Sequence, residues 1–252
     1  MAGDVPDWRH DPPEAFDPVP ELSKREAERE VAALTRAIRH HDRKYYVENA
    51  PEIADSVYDR LFRRLEDLEA AFPELADPNS PTRRVGAPPA EELARAEHTA
   101  PMLSLNAATE ESELDGFLER IREATGEDAP ALVAEPKFDG LSLEVVYRDG
   151  AFLRAVTRGD GRTGEAVSDN ARTIRTLPLR LSGDPPPFLA VRGEVFLPRQ
   201  AFQALNRRRI GRGEEPFANP RNAAGGTIRR LESRVVAGAG LDILVYDVLA
   251  VE

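Results

Sequence analysis

The hexapeptide Glu-Pro-Lys-Phe-Asp-Gly at 135–140 carries one of the chain's few amines, because only Lys24, Lys44 and Lys137 among its 34 basic side chains are lysines. Lys24 and Lys44 sit in charged, helix-patterned sequence, whereas Lys137 lies between the apolar run at 131–133 and the strand-patterned stretch at 141–147. An amine can shed its proton and attack an electrophile, which a guanidinium effectively cannot. Lys137 is therefore a candidate nucleophile. Asp139 lies two residues on, on the same side of an extended chain, where a carboxylate would hold the ammonium in place. A second cation, such as magnesium carried by a phosphate substrate, would favour the free amine again, and that combination points to attack on a phosphoryl group. The spacing alone equally describes a surface Lys-Asp pair beside an Asp-Gly turn.

Two further groupings have chemical content. In the stretch 191–196, strand alternation puts Arg192 and Glu194 on one face and Val191, Gly193 and Val195 on the other. A carboxylate so placed suits sugar hydroxyls or metal-bound water, or else a cross-strand pair with an arginine. Asp55, Tyr58 and Asp59 fall at i, i+3 and i+4 and share one face at a helix start, with Tyr45 closing the preceding helix. Tyrosine rings beside carboxylates suit a cationic aromatic ring, although helix caps and core edges use the same residue types.

The elements that must position these groups follow from periodicity. Residues 1–20 hold five prolines and few apolar anchors, which predicts a mobile tail. Residues 21–76 predict a helical unit: Val31, Leu34, Ile38, His41 and Tyr45 mark one helix, and Val57, Leu61, Leu65, Leu68 and Phe72 mark a second, capped by Asp55 or Ser56. A proline-rich linker is expected over 77–92 and a second domain over 93–252. That domain should hold a strand before Lys137, a hairpin turning at Asp149-Gly150, strands at 188–197 and 241–250, and helices near 165–175 and 199–209. The order predicts an α+β fold on antiparallel sheets.

Composition excludes several classes. Without cysteine there are no disulfides, thiol catalysis or cysteine-ligated zinc, and four scattered histidines argue against a histidine metal site. No run approaches the ~18 apolar residues of a membrane span, and the N-terminus lacks signal-peptide order, so a cytoplasmic protein without membrane contact is expected. The net charge of −11 argues against a uniformly basic nucleic-acid binder. Nine arginines against three acids between Arg199 and Arg234 nonetheless suggest a phosphate-facing patch, or a solvated arginine helix.

The blocks EPKFDGLSLEVVY, TRGDGRTGEAVSDNARTI, VRGEVFLP and FANPRNAAGGTIRRL occur in that order and resemble the adenylation domain of bacterial NAD-dependent DNA ligases. Upstream, HHDRKYYVENAPEIADSVYDRLFRRLEDLEAAFPEL resembles that family's N-terminal helical subdomain, and TAPMLSLNAA its adenine-pocket segment. The resemblance implies a nucleotidyltransferase fold, NAD and Mg2+ as cofactors, and nicked duplex DNA as the partner. It implies that Lys137 attacks the α-phosphorus of NAD to give lysyl-AMP and nicotinamide mononucleotide (NMN), with Asp139 positioning it, Arg158 meeting ribose or phosphate, and Glu194 facing the pocket toward sugar hydroxyls or metal-bound water. Ser104, Leu105, Glu135 and Gly140 would border the nucleotide. Tyr45, Tyr46, Asp55, Tyr58 and Asp59 would recognise the nicotinamide half, and Arg221 and Arg229 the DNA. The resemblance leaves the metal ligands unspecified.

The family continues past the point matching Glu252 with two more lysine-bearing motifs and further DNA-gripping modules, none of which follows here. The expectation is a fragment, a naturally shortened relative or one part of a split enzyme completed by a separate chain, binding DNA weakly by itself. A non-catalytic NAD-binding or partner-docking relative is the alternative.

Overall fold

The structure, a computed structural model, describes residues 7–48, 50–84, 92–103 and 108–252, without the side chains of residues 46 and 47. Helix α1 (Lys24–Asp42) starts with a capping box. The Ser23 hydroxyl accepts from Glu26 N, and the Glu26 carboxylate accepts from Ser23 N at 2.8 Å. Its apolar stripe packs on that of α2 (Asp55–Ala71), burying Leu34, Ile38, Leu61, Leu65 and Leu68 completely. Each such leucine contributes about 2 kcal/mol relative to exposure. A π-helical turn (Arg43–Val47) extends α1 through Tyr45. The cap of α2 is Ala54, with Asp55 as the first helical residue, so the side-chain cap expected at Asp55 or Ser56 is absent.

The first twenty residues are not a loose tail throughout. Trp8, Phe16 and Val19 pack against the helix pair, with Trp8 and Phe16 edge to face at 5.6 Å. Proline density removed helical signal there, but these side chains supply the missing anchors. The linker is likewise built in from 79 to 84. Asn79 Nδ2 donates to Phe152 O at 3.0 Å, and Arg84 is buried with its guanidinium donating to Ile174 O at 2.7 Å and Leu177 O at 3.1 Å. Backbone carbonyls thus compensate a buried cation that ties the helical unit to the second domain.

The second domain is organised by a four-stranded antiparallel sheet, in spatial order β3-β2-β5-β6: β2 (Leu141–Arg148), β3 (Ala151–Thr157), β5 (Phe188–Phe196) and β6 (Asp242–Val251). Asp149 and Gly150, at φ 49° and 72°, make the expected two-residue hairpin turn. A two-stranded ribbon pairs β1 (Arg95–Glu97) with β4 (Thr163–Glu165). One sheet face carries Leu143, Val145, Tyr147, Val191 and Val195 into the core, against α4 (Ser168–Arg172), α6 (Pro220–Ile228) and α7 (Ser233–Ala237). Helix α3 (Glu111–Thr125) buries none of its residues fully, nor does α5 (Arg199–Gly211), which packs Ala201, Phe202 and Leu205 against the core. The strand expected before Lys137 does not form: residues 131–139 are irregular, because Leu132 and Val133 are exposed rather than paired. Among the described residues, no helix is long and apolar enough to cross a membrane.

Candidate functional site

Register fixes the sheet's other face. Ser142 lies opposite Glu194 and Glu144 opposite Arg192, so polar side chains line this side as alternation predicted. Glu194 is buried and fully engaged: Oε1 accepts from Gly140 N at 3.1 Å and Oε2 from Ser142 Oγ at 2.6 Å. It therefore clamps the point where the lysine segment enters β2. A methyl group on Gly140 would sit 2.0 Å from Val195 O, so only glycine fits. Arg192 Nη1 donates to Leu103 O at 2.7 Å, and its guanidinium lies over the Tyr246 ring at 5.5 Å.

Lys137 and Glu135 are exposed on the irregular segment just before this clamp. Phe138 anchors the segment against Phe196, ring centroids 4.8 Å apart. Asp139 pairs with Arg221 Nη1 at 3.0 Å. Arg221, expected at the DNA, thus faces the motif of the candidate nucleophile Lys137. Arg229 donates to Gly225 O and stands 3.9 Å from Glu165. Five other arginines of the basic stretch, Arg208, Arg209, Arg212, Arg230 and Arg234, line a separate cavity of about 330 Å3 with Glu214.

Arg158 opens the turn between β3 and β4. Its N donates to Ser142 O at 3.0 Å, and its carbonyl accepts from Gly161 N. The turn needs positive φ at Gly159 and Gly161, and Asp160 closes it by accepting from Thr163 N, Arg162 N and the Thr163 hydroxyl, which holds the carboxyl down to about 2. His98 and Glu144, neither suspected from sequence, meet beneath it. Nδ1 of His98 lies 3.1 Å from Glu144 Oε2 and Nε2 lies 3.1 Å from Arg158 O, while Thr99 N donates to Glu144 Oε1 at 2.7 Å. Forty-six residues separate the pair, so no local pattern could have announced it. Ser104 and Leu105 lie outside the described residues, as does the Tyr46 side chain.

A second cavity, about 380 Å3, is lined mostly by the helical unit, with Arg175 coming from the second domain. Tyr45, Asp55, Tyr58 and Asp59 all line it, so these four expected residues do converge, joined by His41, Glu52, Ile53 and Arg175. Tyr58 donates to Asp42 Oδ1 at 2.7 Å and stacks on Phe62. In the sequence His41 falls in the apolar stripe of α1, while nothing in local spacing marks Glu52 or Arg175. Burial pushes His41 toward its neutral form, and neither ring nitrogen has a hydrogen-bond partner among the described residues. Glu52 is held down to about 2 by His40 and then Lys44.

The family model for the NAD-dependent DNA ligase adenylation domain matches residues 90–252. The chain belongs to the NAD-dependent DNA ligase family. A second model, the DNA ligase-like N-terminal NAD+-binding domain, matches residues 24–86, the helical unit with its built-in linker. Relatives of this ligase-family chain include the DNA ligase of Halorubrum lacusprofundi, 54% identical over 246 residues that cover 96% of this chain and 34% of that protein. The DNA ligase of Alkalilimnicola ehrlichii is 51% identical, covering 87% of this chain and 33% of that protein. The chain thus spans about a third of the length of the curated relatives it matches.

Proposed function

We propose that this chain is the self-adenylylating module of an NAD-dependent DNA ligase. The observation that carries the reading is the convergence of Tyr45, Asp55, Tyr58 and Asp59 on one cavity in a chain that also exposes Lys137 beside a clamped glycine. Two carboxylates and two tyrosine rings match a cationic nicotinamide and its ribose, and they disfavour a pyrophosphate leaving group. NAD is the substrate that needs such a pocket, and ATP has no group to fill it.

In the proposed step, Nζ of Lys137 forms a bond to the α-phosphorus of NAD while the bond from that phosphorus to the bridging oxygen breaks. NMN leaves with the electron pair on its phosphate, and the amine gives up its protons to solvent in becoming a phosphoramidate. The AMP then passes to a 5′-phosphate at a DNA nick. Arg158 and Glu194 shape the nucleotide side through the glycine turn and the Gly140 clamp. Asp139 acts through its pair with Arg221, which leaves the lysine free to turn to the phosphate. Arg229, half exposed on the same block, serves the DNA side. Magnesium fits as an ion borne on substrate phosphates, since Asp139 and Glu194 are already bonded to protein donors. When bound it would neutralise phosphate charge.

The test is intact mass after incubation with NAD and magnesium. Addition of one AMP per chain is expected. An unchanged mass while NAD still binds would replace the reading with that of a nucleotide-binding relative.

A further inference from the structure

Three metal-ligating side chains, far apart in sequence, meet at the rim of the helical unit. Trp8 and Phe16 fasten the N-terminal segment onto the helix pair, and that segment brings the His10 ring to 5.6 Å from the His40 ring. His40, in the last turn of α1, has Nε2 2.7 Å from Glu52 Oε2 on the loop before α2. One ligand atom from each of His10, His40 and Glu52 lies within 4.8 Å of the others.

We propose that His10, His40 and Glu52 form a binding site for a zinc-class divalent transition metal, which clips the N-terminal segment to the end of α1 and the loop beyond it. The donor set is the reason for the class: two imidazole nitrogens and one carboxylate suit Zn2+, Co2+ or Ni2+ and are poor for Mg2+ or Ca2+, which prefer all-oxygen shells. Ligand bonds of about 2.0–2.2 Å on a tetrahedral ion set its ligand atoms roughly 3.3 Å apart. The His40–Glu52 contact must then open by about half an ångström while exposed His10 closes in. The fourth position falls to water, because His10 and Glu52 face solvent.

Nearby cations do not forbid the site, since each is already paired with a carboxylate and none occupies Oε2 of Glu52. Arg9 is bidentate on Asp7 at 2.7 Å, Arg43 pairs with Glu48 at 2.9 Å, and Lys44 divides itself between Glu48 and the second oxygen of Glu52. Oε2 of Glu52 stays available for the metal while Oε1 keeps Lys44. The expectation from scattered histidines was no such site, and folding brings two of the four together.

The test is equilibrium dialysis of the 252-residue chain against micromolar zinc with millimolar magnesium present, counting metal per chain by mass spectrometry. Emission from Trp8, the sole tryptophan and two residues from His10, is followed alongside. One zinc per wild-type chain and a saturable change in Trp8 emission are expected. His10→Ala, at an exposed position, should melt as wild type does in chelator yet bind zinc at least ~10-fold more weakly, because losing a ligand should cost no less than losing its outer-shell partner. Glu52→Ala should weaken zinc similarly. A wild-type chain that retains no zinc, zinc held equally by both variants, or zinc displaced by magnesium would each overturn the proposal.

Discussion

Tyr45, Asp55, Tyr58 and Asp59 project from two helices whose facing leucines are wholly buried, whereas Lys137 stands on an irregular stretch where Leu132 and Val133 are 56% and 86% exposed. The four cavity residues are held in place by packing; the segment that carries Lys137 is held at Gly140, by the Asp139–Arg221 pair and where Phe138 leans on Phe196. On the proposed function, the difference means that selectivity and reactivity can be altered separately. Pocket substitutions should change which dinucleotide is used, and substitutions at the lysine segment should change whether any chemistry occurs.

The sharpest way to break this contrast is Lys137→Arg, which keeps the charge and removes the nucleophile. Complete loss of the AMP adduct is expected at an unchanged melting temperature, and an adduct on the variant would move the nucleophile elsewhere. Gly140→Ala attacks the clamp. With its new methyl 2.0 Å from Val195 O, backbone must shift, so a loss of ~3 kcal/mol in chemical denaturation and a fall in adduct yield should appear together. Wild-type stability in this variant would show that the clamp is not tight.

Asp55→Ala with Asp59→Ala sharpens the other side. Both residues are exposed, so folding should survive, while loss of two charged contacts should raise the NAD concentration needed for half-maximal labelling roughly 10–100-fold. Equal labelling of the wild type by ATP and NAD would remove the pocket from cofactor choice. The smallest effect concerns Asp160 in the glycine turn. Its carboxyl is held below its ordinary 3.8, at about 2, so its contribution is complete above pH 3.8 and fades as pH falls toward 2. The melting-temperature gap between wild type and Asp160→Asn should therefore close over that interval. A constant gap would mean that the carboxylate's charge is irrelevant to the turn.

Period carried much of the fold in the sequence. The α1 and α2 stripes, the Asp149-Gly150 hairpin and the alternation of β5 were readable because burial on one face imposes a repeat of 3.6 or 2. Helix α6 was not, since Pro-Arg-Asn-Ala-Ala-Gly-Gly-Thr-Ile reads as a loop by propensity. Its glycines instead admit close packing, the Phe217 ring lying 3.2 Å from where a Gly226 methyl would stand. Helix α3 has Leu114, Phe117, Leu118 and Ile121 at helical spacing, yet it buries none of them fully. Of the site, Lys137, Asp139 and the four pocket residues were readable as local spacings. The Asp139–Arg221 pair and the His98–Glu144 contact join residues 82 and 46 positions apart, and only tertiary folding creates them.

The glycine clamp also sets a length scale. Three residues separate Lys137 from Gly140, and an extended chain advances at most about 3.6 Å per residue, so the lysine Cα stays within roughly 11 Å of the clamp. Residues 131–139 make no backbone–backbone hydrogen bond with a described residue that would shorten this leash. Any cargo on the amine can be handed over only within that radius extended by the length of one lysine side chain, and an acceptor end must be delivered there rather than sought.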